Sequence, residues 1–373
     1  MIFYYSVIVT TIGTGMIIYL LLNLRQIKKL KAQPIIAEQP TLAIIVAVRN
    51  EEEDLEKALQ SLCNINYNNH RLIVVNDRST DRTAEILQNF DHSKLEILTI
   101  DTLPDSWLGK NNALYQGYLA STEEWLLFTD ADVEFHADAS RSFSYVEKHN
   151  LDHLSILPDV RSRSILLNSV LATFSMMLMT VIRPWDARKP KRSGFIGVGA
   201  FNLVKRTAYE KVGTHVKIKL NPVDDAKLGQ NLKRAGLRQD VLSGEGLICL
   251  EWYKNINQFR NGLMKNSFAM GGYSIFRTIF DVSGALLFVA LPLPVMLIFG
   301  DTDILLMACL LFAVQMLYMT VVPPNKWWYT LMIPYAGFLM AYIVAKSAFI
   351  TLKQGGIYWR DSFYSLAMLK GKE

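Results

Sequence analysis

Cysteine is scarce: there are three among 373 residues, Cys63, Cys249 and Cys309, far apart and without metal-ligand spacing. That excludes a disulfide framework and a cysteine-based metal site, and leaves all three as reduced apolar fillers. The chain also lacks an internal repeat, a low-complexity tract, and any basic run interleaved with aromatic residues. Its formal net charge of +5 therefore fits a membrane surface and does not call for nucleic acid as a partner. Charge itself is missing from the first stretch. Residues 2–23, IFYYSVIVTTIGTGMIIYLLLN, carry none, and as a helix they would extend roughly 33 Å, enough to cross a bilayer. The run RQIKKLKAQ follows, with four basic residues and no acid, which predicts that the chain from residue 25 onward stays cytoplasmic. A cleaved signal peptide would place its basic residues before the apolar run and a small-residue cleavage site after it; neither is present.

What is present is an alternation of strand and helix. LAIIVAV (42–48) reads as a continuous buried strand of a parallel sheet. Leu55, Ala58, Leu59 and Leu62 follow at i, i+3, i+4, i+7, the spacing of an amphipathic helix. RLIVV (71–75), LEILTI (95–100) and WLLFT (125–129) add strands, with a helix over 84–90. The pattern predicts an α/β fold with a doubly wound, mostly parallel sheet over residues 41–250, after a basic linker at 25–40. An interfacial segment is expected at 251–281.

From Val282 the composition changes. Apolar stretches near 282–299, 304–322 and 329–350 read as three membrane helices, with kinks expected at Pro292, Pro294 and Pro334 and a short tail at 351–373. With the leading helix they predict a multi-pass plasma-membrane protein whose α/β domain is cytoplasmic. One more apolar stretch, 165–182, is long enough to span, yet crossing there would put the two halves of the α/β domain on opposite sides; an interfacial or acceptor-lining helix is the preferred reading. Three trailing crossings would leave the C-terminus outside, whereas Lys353, Arg360, Lys370 and Lys372 argue for inside.

In an open α/β sheet, ligands bind beyond the carboxyl ends of the strands. Here those ends carry Asn50, Glu51 and Glu52, then Asp77, then Asp130 and Asp132. Acids brought together on one rim repel unless a cation or hydrogen-bond donors join them. A divalent metal, Mg²⁺ or Mn²⁺, carrying a phosphorylated ligand suits such a rim, because Mg²⁺ is commonly held by one or two carboxylates plus substrate phosphates. Two other readings of the Asp130/Asp132 pair stand beside this one. It could be a solvated strand end, or the nucleophile and acid of a haloacid-dehalogenase-type phosphatase, although there the pair sits on the first strand of the core and here it follows the fourth.

The motifs VRNEEEDLEKALQSL, VVNDRSTDRTAEIL, GKNNALYQG and FTDADV, in that order, closely resemble the family 2 glycosyltransferases of GT-A fold. GVGAFNLVKRTAYEKVG (197–213) looks like that family's acceptor-side segment, and VDDAKLGQNLKRAGLR (223–238) is similar to its acidic motif and following helix; the likeness covers about residues 41–262. The resemblance implies a UDP-sugar donor, with Val48, Asn50 and Glu52 lining the nucleotide pocket and Asp77 hydrogen-bonding the uracil. It implies that Lys110 offsets diphosphate charge, that Asp130 touches sugar or ribose hydroxyls, and that Asp132 ligates the metal. Asp225 would be the general base of an inverting hexosyl transfer, with Asp224 in the preceding acidic position. Taken alone, Asp225 reads equally well as an acid favoured by a helix dipole.

Many members carry a Q/R-x-x-R-W motif after the catalytic aspartate. The nearest match is NQFRN (257–261), where Arg260 could contact the diphosphate but Asn261 replaces Trp, which weakens a polysaccharide-synthase reading. The layout is similar to small membrane members that glycosylate lipids such as carotenoid acids, ceramides and hopanoids, so a membrane lipid is the expected acceptor and glucose the expected sugar. A catalytically silent scaffold that keeps a sugar-nucleotide pocket is the non-enzymatic alternative. His215 is set aside, because a lone histidine is more often structural.

Overall fold

The computed structural model describes residues 1–34, 40–190, 192–359 and 362–370; the far end of the expected linker, and Arg360 and Lys372 of the tail, lie outside the described residues. The chain divides into two units. A sheet unit comprises Ile27–Arg161 and Arg183–Trp252, and a helical unit comprises Met1–Gln26, Ser162–Ile182 and Tyr253–Glu373.

The strands of the sheet unit are β1 (Lys28–Lys29), β2 (Leu42–Val48), β3 (His70–Asp77), β4 (Leu95–Ile100), β5 (Trp125–Thr129), β6 (Val133–Phe135), β7 (His153–Leu157), β8 (Asp159–Val160), β9 (Asn202–Lys205), β10 (Gln239–Ser243) and β11 (Ile248–Leu250). Eight of them form one sheet in the order β1-β10-β7-β9-β5-β2-β3-β4, and β6-β11-β8 form a smaller one. All pairings in the large sheet are parallel except those of β9, which runs antiparallel to both neighbours. The expected doubly wound sheet is therefore present, with one reversed strand.

Alternation along β2 explains why its sequence is apolar throughout. Ile44, Val46 and Val48 enter one core with Leu55, Leu59 and Leu62, while Ala43 and Ile45 enter another with Ala113 and Leu114. Successive side chains point to opposite faces, so a strand covered on both faces has no polar side. Register then aligns the strand ends: Val48 lies opposite Asn76 and Val46 opposite Thr129. The residues just beyond, Asn50, Asp77 and Asp130, thus emerge at one rim, where β2 is flanked by β3 on one side and β5 on the other.

Part of the expected linker is folded. β1 pairs with β10 at the sheet edge, Leu30 is fully buried, and Lys29 pairs with Glu245 at 2.9 Å.

In the helical unit, Ile2–Leu24, Thr302–Val321 and Trp327–Gln354 are long and apolar enough to cross a membrane. Ile275–Ala290 and Pro292–Phe299 meet at a 47° bend, where a π-helical turn (Leu286–Ala290) precedes Pro292; a widened ladder followed by a proline is a known cause of kinking. Pro334 makes no kink. It occupies the first turn of the helix Ile333–Gln354, where a missing N–H leaves nothing unbonded. The helix Ile165–Ile182 belongs to this unit, not to the α/β region that flanks it in sequence, and it too is long and apolar enough to span. The strands on either side of it, β7 and β9, are hydrogen-bonded to each other. Both of its ends must therefore lie on the same side of a bilayer, which favours the interfacial reading.

Two buried histidines give the sheet unit a pH signature. His70 and His153 are 7% and 0% exposed, and burial lowers each from 6.5 to about 4, against opposing hydrogen bonds to the Tyr67 carbonyl and to Asn202. The unfolded chain protonates these groups first, so their contribution is intact above pH 6.5 and is lost as pH falls toward 4. His153→Gln should flatten the slope of unfolding free energy against pH between 6.5 and 4.5, by about 2 kcal/mol at pH 5 relative to pH 7. Denaturant melts of the two detergent-solubilised proteins across that range would show it; parallel slopes would mean that His153 titrates normally.

Candidate active site

The turns that follow β2 and β3 are clasped together. Asn50 N–H donates to Ser79 Oγ (3.1 Å) and Thr80 N–H to Asn50 Oδ1 (2.8 Å). Glu51 N–H donates to Thr83 Oγ1 (2.9 Å), and Arg82 N–H to Glu52 Oε2 (3.0 Å). Asn50 and Arg78 both have positive φ, 56° and 54°, an uncommon conformation for such residues that the clasp holds in place. Asp77 is 3% exposed; its Oδ1 accepts from Arg78 Nε (2.7 Å) and its Oδ2 from Arg78 Nη2 (3.1 Å), with Arg49 at 3.8 Å. Asn50, Glu52 and Asp77 thus belong to one connected rim. Val48 does not reach its surface: it is fully buried in the core below.

A second cluster gathers around one ammonium group. Lys110 opens the helix Gly109–Ala120, and its Nζ lies 2.6 Å from Asp130 Oδ1 and 3.7 Å from Asp224 Oδ1. Asp224 and Asp225 begin the helix Asp224–Arg234, where carboxylates are favoured by the unpaired N–H groups. Asp225 is held from both sides, Oδ2 accepting from Gly199 N–H and Oδ1 from Ala226 N–H, each at 2.7 Å. Asn111 locks the two helix starts together by donating to the carbonyls of Ile218 and Asn221 (both 2.9 Å). An open cleft results, lined by Lys110, Asp130, Asp224, Asp225, His215 and Asn202 among others.

Close approach of the glycine-rich segment makes this geometry possible. A Cβ at Gly197 would lie 1.9 Å from the Asp225 carbonyl oxygen, and one at Gly229 would lie 1.7 Å from that of Ile196. Only residues without a side chain let the strand-like segment and the helix touch backbone to backbone.

Electrostatics follow from crowding. Burial opposes the Lys110 charge, but Asp130, Asp224 and Asp225 outweigh it and raise its pKa. Burial pushes Asp224 up to about 6, against the pull of Lys110 and with Asp225 adding to the rise. Burial also raises Asp225, which Lys110 and the two backbone donors partly offset. Asp132 is pushed up to about 7 by burial and then by Asp130 and Glu51. Lys110 lies against Asp130 and pulls less on Asp132 than burial, Asp130 and Glu51 push; a divalent metal at the Asp130/Asp132 pair would relieve that repulsion. Among the described residues no three His, Cys, Asp or Glu side chains are grouped to hold an ion by themselves; the remaining ligands would have to come from a bound diphosphate and water.

Arg260 lies on the helix Ile256–Met270 of the helical unit, where its Nε donates to Asn261 Oδ1 (3.2 Å). His215, set aside on sequence, is in the cleft. Tyr209 Oη accepts from the His215 backbone N–H (2.9 Å) and so donates to Nδ1 (2.5 Å). That leaves the ring proton on Nε2, which faces Asp224 Oδ2 at 3.9 Å. Burial and then Lys110 hold this histidine neutral, down to about 3. Asn202 was also missed; its Oδ1 is bonded to His153 Nε2 at 2.5 Å. The available signal was its place directly after the glycine-rich segment, at the start of the reversed strand.

Residues 43–213 match the family described as Glycosyl transferase family 2. Over 218 residues the chain is 26% identical to a 4,4'-diaponeurosporenoate glycosyltransferase of Staphylococcus haemolyticus, covering 57% of each chain. It is 24% identical over 229 residues to the protein of the same name from Staphylococcus aureus strain USA300, covering 61% of this chain and 60% of that one. The matched stretch therefore spans less than two thirds of these relatives' length. In fold, the chain is similar to a mannosyltransferase from Pyrobaculum calidifontis solved with GDP-Man and Mn²⁺, with a TM-score of 0.60 at 16% identity, covering 95% of this chain and 99% of that one.

Gly197→Ala forces backbone to shift against backbone and should destabilise the sheet unit by about 2 kcal/mol or more. Gly15→Ala, whose Cβ meets nothing within 4 Å, should leave stability within about 0.5 kcal/mol of wild type or raise it. Thermal melting of both variants checks the contrast.

Proposed function

We propose that the chain, whose residues 43–213 match Glycosyl transferase family 2 and whose fold is similar to that of a solved mannosyltransferase, transfers a hexose, glucose by preference, from a UDP-sugar to a lipid acceptor in the membrane, by a metal-dependent, inverting displacement. The observation that carries this reading is the single cleft in which Lys110 stands between Asp130, at the tip of β5, and the Asp224–Asp225 pair at a helix start. Groups suited to a departing diphosphate and a group suited to take a proton face the same space.

Asn50, Glu52 and Asp77 form the rim that would receive the nucleotide, and Lys110 would turn from its carboxylate partners to the diphosphate as charge builds there. Asp130 and Asp132 would hold the divalent metal, which when bound supplies Lewis-acid stabilisation of the phosphate leaving group. Asp225 is the better base of the acidic pair. Each of its oxygens accepts one backbone hydrogen bond, which aims the carboxylate and leaves lone pairs for the acceptor proton, and its raised pKa brings it nearer the working pH. Asp224 is buried and engaged with Lys110 and His215, so it positions the ammonium. Arg260 is retained as a candidate diphosphate contact.

For the acceptor, the names of the curated relatives favour a carotenoid acid such as diaponeurosporenoate; ceramide- or hopanoid-type lipids are the alternatives. Asn261 in place of the family's Trp disfavours a polysaccharide chain. Placement as a multi-pass plasma-membrane protein with a cytoplasmic catalytic unit rests on the apolar helices and the basic flank after Leu24.

Mass spectrometry of membrane lipids after expression in a carotenoid-producing host should reveal a hexosylated carotenoid acid; a modified ceramide or hopanoid would redirect the acceptor, and no glycosylated lipid would overturn the reading. Asp225→Asn should lower transfer to a hydroxyl acceptor by about 10²-fold or more while UDP binding survives. On a carboxylate acceptor, already ionised at neutral pH, the loss should shrink. Normal turnover of the variant on an alcohol would remove Asp225 from the role of base.

Lys110→Met should separate metal binding from catalysis. Removing the ammonium frees Asp130, so Mn²⁺ binding without donor, followed by electron paramagnetic resonance, should tighten several-fold, while turnover with UDP-sugar falls. Unchanged Mn²⁺ affinity would mean that the metal does not use this carboxylate pair.

A further inference from the structure

We infer that the sheet unit carries a binding surface for anionic phospholipid headgroups, assembled around the ring of Tyr145 from basic segments distant in sequence. One segment, Lys28 to Lys31, follows the apolar helix Ile2–Leu24 almost directly; the other, Arg183 to Lys189, follows the apolar helix Ile165–Ile182. Nothing in the sequence says that the two meet. In the structure Lys28 Nζ lies 5.3 Å from the centre of the Tyr145 ring and the Arg188 guanidinium 6.0 Å from it. The pairing of β1 with β10, Lys28 opposite Leu242, fixes the first contact. The second is fixed by Arg188 Nη2 donating to Tyr145 Oη (2.6 Å), Tyr145 Oη donating to Asp240 Oδ2 (2.7 Å), and Arg188 pairing with Asp240 (2.7 Å).

That frame is built, and it leaves positive charge over. Arg188, Lys189 and Lys29 are matched by Asp240, Asp186 and Glu245. Lys28, Lys31 and Lys148 are exposed and have no ion pair among the described residues. The local field registers on His149, which packs edge-on against Tyr145 at 4.4 Å; burial, then Lys28 and Arg188, lower its pKa, with Asp240 opposing.

The two points where the chain leaves an apolar helix for the sheet unit thus share one cationic face. Basic segments directly beside membrane-embedded helices sit at headgroup depth, where each uncompensated lysine favours an anionic leaflet by about fivefold. Three together support a preference of roughly a hundredfold, reduced by salt. Position beside the apolar helices is what selects a lipid over a nucleic acid.

The test uses the full chain and is independent of the transferase reading. Wild type and the Lys28→Gln/Lys31→Gln/Lys148→Gln variant are placed in nanodiscs of mixed phosphatidylcholine and phosphatidylglycerol at 0.15 M salt, and co-purifying lipid is counted by native mass spectrometry. Wild type should retain phosphatidylglycerol in excess over its share of the bilayer, and the variant should lose that excess by tenfold or more, with unchanged melting temperature. Equal enrichment in both proteins overturns the surface, as does wild type showing none. Displacement of the retained phosphatidylglycerol by single-stranded RNA, with RNA binding lost in the variant, would reassign the face to nucleic acid. Should the triple variant melt early, Lys148→Gln alone, on a helix surface, must still lower the enrichment by several-fold for the inference to stand.

Discussion

Lys110 Nζ lies within 4 Å of carboxylate oxygens from Asp130 and Asp224, and Asp225 adds a third acid beside them. Three acids against one cation is a frustrated arrangement. Burial raises the three crowded carboxyl groups Asp132, Asp224 and Asp225, and Asp130 and Glu51 add to the rise at Asp132. A site short of cations is suited to receiving one together with a diphosphate, since the guest relieves repulsion that the folded protein holds in place.

Holding that repulsion requires a rigid frame. The rim turns are clasped by reciprocal hydrogen bonds between residues 50–52 and 79–83, and the parallel register of β2 with β3 and β5 sets their heights. On the opposite wall, Gly197 and Gly229 allow backbone contact that fixes Asp225 against the Gly199 amide. Neutral His215, anchored by Tyr209, supports the Asp224 side without adding a charge. Catalytic side chains placed on strand ends and helix starts keep their spacing better than side chains on free loops.

The helical unit obeys a different constraint. Its helices are apolar on most sides, as a lipid environment demands, and close contacts such as Gly13 against Leu311 and Gly337 against Ala290 set their packing. The helix Ile165–Ile182 shows how sheet topology limits what hydropathy permits: length and composition allow a span, but β7 and β9, joined by hydrogen bonds, keep both of its ends on one side of a bilayer.

Local chemistry was readable from the chain. Continuous apolar runs announced β2, β3 and β5, the i, i+3, i+4, i+7 spacing announced the helix Leu55–Cys63, and the ordered acidic motifs pointed to one rim, because burial pattern and strand-end chemistry are properties of neighbouring residues. Tertiary structure alone decided the rest. It reversed β9, recruited β1 from the linker, buried Val48 in the core below the rim, brought His215 and Asn202 into the cleft, and seated Pro334 harmlessly in a first turn. Each of these depends on contacts between segments tens to hundreds of residues apart, and such contacts leave no period or spacing in the sequence that makes them.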